Sequence, residues 1–405
     1  MTAPSELLSP AARSGGDPGP VTLAQILGDL DAFESRVQHQ QPQVQDLAGT
    51  PLGRLLSLDD VDLLLTGSGL RTPFVSLVEN DRLTPEDHYC RQIRIGAATV
   101  PDLVHPGKVM DHVRSGATMI LRGLQRYWPP MARLCREAEA RWGYACHANA
   151  YLTPPEAQGF TEHEDGHDTL LVQTYGAKKW SVGQRPAGEA QDLREDDGRW
   201  TFTLIAPAVL YIPAGTLHAG VTAGEPSLHV TIGMTPWTWE QAARHIVDLA
   251  LGSLDLSGRL PTGALTGRTD LGQQVSELTV RLADAIGGLS SAAVVDSLVA
   301  GFIDKAPPLL SGQLLHALGS PPISDASSVA RRPGTLAAVI ELDDEALLVL
   351  GDRRVKFPAD RAAVLRHVLG LARFRVSELD PFLVAEERIE LVEKLVRQGL
   401  LVLAE

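Results

Sequence analysis

Hydrophobic residues recur at helical spacing through residues 22–40 (TLAQILGDLDAFESRVQHQ), where Leu, Ile and Phe share one face. The same period returns in LGRLLSLDDVDLLLTGSGL, with Ser57 and the acids after it as an expected N-cap and first turn. Residues 102–141 are again helix-rich, and Pro129-Pro130 is expected to interrupt them. The chain to about residue 145 therefore predicts a helical front end with short strands. From Ala148 to Thr235 the pattern changes to short apolar runs parted by turn residues: DTLLVQTYGAKKWSVG, TFTLIAPAVLYIPAGTLHAGVT and SLHVTIGM. Gly176 divides the first run and Pro213-Ala214-Gly215 the second, and both are expected to be hairpins. Successive short antiparallel strands predict a sandwich or jelly-roll barrel. Helical spacing resumes from Trp237 to about Leu318, and SPPISDASSVARRPG follows as an expected linker. Residues 334–405 open with TLAAVIEL, ALLVLG and RRVKF and close with helices and a final apolar strand, GLLVLAE.

Composition narrows the class. At 405 residues the chain is expected to hold two or three domains, and 44% hydrophobic content is ordinary for a globular protein. No run approaches the roughly 18 apolar residues that span a bilayer. The Pro-, Gly- and Ser-rich start (residues 1–20) lacks the features of a secretory signal and is expected to be a disordered leader. Cys90, Cys135 and Cys146 show no metal-type spacing, which fits a reducing cytoplasm. A net charge of −14 opposes association with nucleic acid or anionic membrane; it serves solubility and, where there is a partner, favours a basic one. Residues 334–405 carry 10 Lys/Arg against 13 Asp/Glu, so this block offers no basic excess for duplex phosphates.

The chemistry concentrates in GFTEHEDGHDTLLVQTYGAKKW. In an extended backbone alternate side chains share a face, so His163 and Asp165 point the same way. Further on, a Pro-x-Gly turn in YIPAGTLHAG delivers His218 at the start of a strand. Two imidazoles and a carboxylate cap one face of a metal ion and leave positions open for a bidentate cosubstrate and O2, the logic of non-haem Fe(II) oxygenases. A lone H-x-D means little. Joined to P-x-G-x-x-H in a β-rich region it is far more specific. Lys178 is expected to face the barrel interior, where an ammonium matches the distal carboxylate of 2-oxoglutarate, while Lys179 faces outward.

The run NAYLTPPEAQGFTEHEDGHDTLLVQTYGAKKW, with LYIPAGTLHAG and SLHVTIGM, resembles the JmjC, cupin-like ribosomal oxygenases and their bacterial relatives. The resemblance implies a mainly β catalytic core of the double-stranded β-helix (jelly-roll, JmjC cupin) type. The blocks then read as a JmjC catalytic domain with a helical front end (21–236), a helical dimerisation segment (237–325) and a winged-helix-like C-terminal domain (326–405). It implies a homodimer, Fe(II) held by His163, Asp165 and His218, and a 2-oxoglutarate carboxylate gripped by Lys178. Asn149 and Tyr151 match a pocket-lining Asn-x-Tyr, with Asn149 toward the cosubstrate and Tyr151 toward the substrate; Ser227 is expected to border the cosubstrate. Glu164 and His167 depart from the family's bulkier residues, and His167 is open to reading as a pocket wall, a substrate contact, a fourth ligand or a satisfied polar residue. His229 is expected in the core or behind the ligands, and His88, His105, His112 and His245 as structural or surface residues.

The implied activity is 2-oxoglutarate-dependent hydroxylation of an amino-acid side chain in a protein or peptide, the acidic net charge favouring a basic one. N-methyl demethylation uses the same residues. A cupin enzyme without 2-oxoglutarate would usually show H-x-H with a following Glu and has no need of Lys178. A non-catalytic module would be expected to have lost a ligand. Fold alone does not choose the substrate.

Overall fold

The structure is a computed structural model that describes residues 20–404 apart from 39, 189 and 320. The leader expected over residues 1–20 lies, but for Pro20, outside the described residues. The strand Asp168–Val182 organises the fold. Its first half is buried and pairs antiparallel with Ser227–Thr235 on one side and Ala208–Ile212 on the other. Its second half changes partners, pairing with Arg199–Ile205 and His218–Val221. Ser227–Thr235 passes the sheet on to Ala145–Thr153, Thr118–Leu121 and Val75–Glu79. Gln43–Asp46 closes the other edge against Ala208–Ile212. One strand thus belongs to two antiparallel faces with a cavity between them.

The change of partners occurs at Gly176. Its φ is +64°, and a Cβ there would stand 1.9 Å from the Pro226 carbonyl oxygen. Leu228 opposes Tyr175 but His229 opposes Gln173, so Thr174 is an extra residue and the strand bends at a bulge. The hairpin expected at Gly176 is therefore corrected to a bend within one continuous strand: a left-handed glycine serves a turn and a bulge equally. Pro213-Ala214-Gly215 is not a hairpin either. The strand before it pairs with the first half of the long strand and the strand after it with the second half, so the turn carries the chain from one face to the other.

Side-chain alternation sorts the core. Leu170 and Val172 join Val230, Ile232 and the front-end helices in the larger cluster, while Leu171 joins Trp180, Phe202, Leu210 and Ile212 in a smaller one. Phe33 contacts both Trp142 and Tyr211, docking the front end on the sheet. Pro129-Pro130 begins the helix Pro129–Trp142 instead of interrupting one, because the first helical turn needs no backbone donors. Ser57 and Asp60 form the reciprocal cap that opens Leu58–Gly67.

Helices Trp239–Gly252, Gly272–Gly287, Ser291–Asp304 and Gln313–Leu318 follow the sheet. The last block has its own core, with Ala337–Glu341, Glu345–Leu350 and Arg353–Pro358 forming one sheet. Ser328–Arg331, inside the expected linker, is a strand paired with Arg373–Arg375 and Leu401–Leu403. Among the described residues, no single helix is long and apolar enough to cross a membrane.

Gly176→Ala meets both a left-handed backbone and a carbonyl in the way of its methyl group. A loss of about 2–3 kcal/mol is expected; denaturant unfolding of the variant measures it, and unchanged stability would remove the bend from the account.

Candidate active site

His163 and His218 exchange two backbone hydrogen bonds, His163 N to His218 O at 3.1 Å and His218 N to His163 O at 2.8 Å. The two rings lie 4.4 Å apart as a result. Each Nδ1 meets the carbonyl oxygen two residues earlier, Thr161 at 2.8 Å and Thr216 at 2.9 Å. Donation from Nδ1 fixes the tautomer and leaves both Nε2 lone pairs free, as metal-binding histidines require. Asp165 completes the group: one ligand atom from each of the three residues lies within 4.8 Å of the others, and its Oδ2 stands 3.7 Å from His218 Nε2. Asp165 is itself steadied by Gly215 N on its carbonyl oxygen and by Thr169 Oγ1 on Oδ2. Burial lowers the proton affinity of His218, which keeps its imidazole a neutral donor.

These atoms open into a cavity of about 340 Å³ between the two sheet faces. Lys178 lines its inner end, 5% exposed, with Nζ 3.3 Å from Thr153 Oγ1 and 5.4 Å from the Trp180 ring centre. Burial pulls its pKa down from 10.5 to about 8. Gly220 keeps the space over Lys178, since a Cβ there would touch Lys178 Cε and the Trp180 ring at 3.0–3.1 Å. Lys179 is exposed. Asn149 and Tyr151 line the cavity, and the Asn149 Oδ1 accepts from Gly123 N at 3.0 Å. Tyr151 stacks on His229 at 5.0 Å.

Some expectations change. Ser227 is fully buried, accepts from Gln173 Nε2 and does not reach the cavity. His167 lines the cavity, edge-on to His147 at 4.8 Å and bonded near Thr169, and stands outside the three-ligand group. Glu164 is exposed, and its neighbour Glu162 is held bidentately by Arg199 at 2.7 and 3.0 Å. His229, 2% exposed, does line the cavity; its Nδ1 is buried without a partner and burial holds its pKa well below the usual imidazole range. His105 caps Pro106–Arg114, His88 stacks on His112, and His245 meets Ser297, as structural residues. Arg122, His147 and Trp180 also line the cavity and went unmarked in the sequence. His147 and Trp180 occupy alternating positions on strands that also carry core residues, and that alternation is the one signal by which they could have been found.

The family description "JmjC domain" matches residues 124–242, which hold His163, Asp165, His218 and Lys178. This chain carries a JmjC domain. It is homologous to proteins named bifunctional lysine-specific demethylase and histidyl-hydroxylase NO66. That of Dictyostelium discoideum is 30% identical over 139 residues, 32% of this chain and 27% of the relative. That of Caenorhabditis elegans is 29% identical over 183 residues, 42% of this chain and 24% of the relative. The matches therefore span about a quarter of those relatives' length. Among solved structures, the ribosomal oxygenase YcfD of Escherichia coli in complex with cobalt and 2-oxoglutarate covers 94% of this chain and 99% of its own. Its TM-score is 0.54 at 16% identity, a likeness of fold.

Within the JmjC domain, two imidazoles and one carboxylate suit a borderline divalent ion such as Fe(II). A divalent ion added to the protein is expected to raise its melting temperature, and His218→Ala to abolish that rise. Arg199→Gln frees the loop carrying His163 and should weaken Mn(II) affinity about ten-fold. Titration followed by electron paramagnetic resonance reads both; equal affinity in all three proteins would contradict the ligand set.

Proposed function

We propose that this chain is an Fe(II)- and 2-oxoglutarate-dependent oxygenase that hydroxylates an amino-acid side chain of a protein or peptide. The observation that carries the reading is the shared cavity: three metal-type ligands at one place and, deeper in, a buried ammonium with no carboxylate partner among the described residues. A buried cation calls for an anion. The far carboxylate of 2-oxoglutarate is that anion for Lys178, with Thr153 beside it, and the Asn149 amide donates toward the same cosubstrate. Ferrous iron with bound 2-oxoglutarate and O2 supplies the power to oxidise a C–H bond, releasing succinate and CO2. His163, Asp165 and His218 would hold the ion at the cavity wall, and Trp180 and Leu171 shield the inner end from water. Tyr151, braced by its stack on His229, orients the substrate. A cupin enzyme that dispenses with 2-oxoglutarate leaves Lys178 unexplained. Demethylation starts from the same arrangement, and the naming of the NO66 relatives keeps it as a second reading; product mass separates a gained oxygen from a lost methylene.

We further read residues 237–325 as a dimerisation segment and 326–405 as winged-helix-like. Helix Gly272–Gly287 buries none of its residues and exposes Val275, Leu278, Val280 and Ile286. An amphipathic helix draws its stability from burying its apolar face, and a second copy of the chain supplies that burial. The three free cysteines suit a cytoplasmic location.

Anaerobic Fe(II) and 2-oxoglutarate should form a complex with a visible charge-transfer band, and peptide-stimulated succinate release should follow on admitting O2. Lys178→Ala should weaken 2-oxoglutarate binding by at least about ten-fold. Because Lys178 must be protonated to bind the carboxylate, affinity should fall as pH rises through about 8, and this dependence should vanish in Lys178→Ala. Affinity independent of pH from about 7 to about 9.5 in the parent protein would contradict the role of Lys178. Sedimentation should give a dimer that Leu278→Glu dissociates; a monomer at all concentrations would contradict the dimer.

A further inference from the structure

We propose that the junction between the JmjC domain and the last block of the chain is a binding site for an organic anion, a ring-sized apolar body bearing a phosphate or a carboxylate. The site is separate from the catalytic cavity, and the inference does not depend on the oxygenase reading.

A second cavity, of about 440 Å³, is lined by three stretches far apart in sequence: residues 125–133 of the JmjC domain, 309–311 after the helix Ser291–Asp304, and 332–333 of the last block. No residue lines both this cavity and the one onto which His163, Asp165 and His218 open. Its volume is in the range of small-molecule sites. Close approach holds the three stretches together. Gly334 and Gly399 both have positive φ, +70° and +88°. A Cβ at Gly334 would stand 2.7 Å from Arg136 Cγ, and one at Gly399 would stand 2.6 Å from Leu310 Cδ2. The walls are therefore set by packing before any ligand arrives, which lowers the cost of binding one.

The lining carries three guanidiniums, Arg126, Arg133 and Arg332, and no carboxylate. In a chain where 50 Asp and Glu face 36 Lys and Arg, that is a local reversal of sign. Arg332 decides the matter. It is 4% exposed and donates to the carbonyl oxygens of Gly399 and Ser311 and to Gln313 Oε1, all neutral acceptors. These bonds satisfy its donors without cancelling its charge, and burial lowers its pKa. The other buried arginines among the described residues are met by carboxylates, Arg136 by Glu139 and Arg388 by Asp325 and Asp380. Arg126 and Arg133 are exposed and likewise have no carboxylate partner among the described residues. The first turn of the helix Pro129–Trp142 lies in the same wall, so the positive end of its dipole adds to the field. The rest of the lining is apolar or aromatic, with Tyr127, Trp128, Leu309 and Leu310. A bare inorganic anion would leave that surface uncovered, and a neutral hydrocarbon would leave the cations without a counterion. A ring bearing an acidic group meets both demands, since guanidinium binds phosphate or carboxylate and stacks on aromatic faces.

Isothermal titration calorimetry of the full-length protein with naphthyl phosphate tests the site, and naphthoate in its place separates a carboxylate ligand from a phosphate one. Saturable binding with a dissociation constant of about 1 mM or below is expected for at least one of the two acids. That acid should bind about ten-fold or more tightly than naphthol or inorganic phosphate. Replacing the two exposed side chains together, Arg126→Gln with Arg133→Gln, should weaken binding about ten-fold. Lys178→Ala, which alters the catalytic cavity, should leave it unchanged. No saturable binding of either acid, an affinity matched by naphthol or inorganic phosphate, or undiminished binding in the double variant would overturn the proposal. So would a loss of binding in Lys178→Ala, which would place the probe in the catalytic cavity.

Discussion

Two backbone hydrogen bonds between His163 and His218 set the distance between two imidazoles that are far apart in the chain. Because the peptide groups fix the spacing, the metal need not draw its ligands together. The side chains repeat one device: each Nδ1 is tied to the carbonyl two residues back, so both Nε2 atoms face the same point. Such preorganisation costs burial of neutral imidazole in place of hydrated imidazolium, visible in the lowered proton affinity of His218. A divalent ion recovers that cost because it takes the lone pair a proton would otherwise occupy.

The long strand does for the cavity what the bridge does for the three-residue group. Thr169 and Leu171 face the cavity before the bend, and Lys178 and Trp180 face it afterwards. Those positions differ in parity, and the extra residue at Thr174 is what reconciles them. Without the bulge, strand alternation would turn Lys179 inward and Lys178 to solvent. Gly176 makes the bend sterically possible, and Gly220 clears the volume into which the Lys178 stem lies. The catalytic geometry is thus a consequence of sheet irregularity, with glycines where backbone or side chains approach most closely.

This explains what could be read from the chain beforehand. That His163, Asp165 and His218 converge was legible because metal chemistry restricts residue types and spacing, and the inward side of Lys178 because a cation near such a group calls for an anion. The course of the strand was not: Gly176 signals a reversal and a bulge alike, and only the partner at Pro226 decides between them. Pro129-Pro130 is likewise ambiguous between breaking a helix and opening one, which depends on where Trp128 leaves the sheet side of the core. Arg122, His147 and His229 lie on or beside strands filled with core residues, and facing the cavity is a property of pairing that one strand does not reveal.

X-ray absorption at the iron edge of the anaerobic Fe(II)-loaded protein tests most directly whether these side chains share one ion. The account predicts scattering from two imidazole rings together with light oxygen neighbours, and replacement of solvent oxygens by a chelate when 2-oxoglutarate is added. A spectrum with no imidazole scattering, or one unaltered by the keto acid, would contradict it.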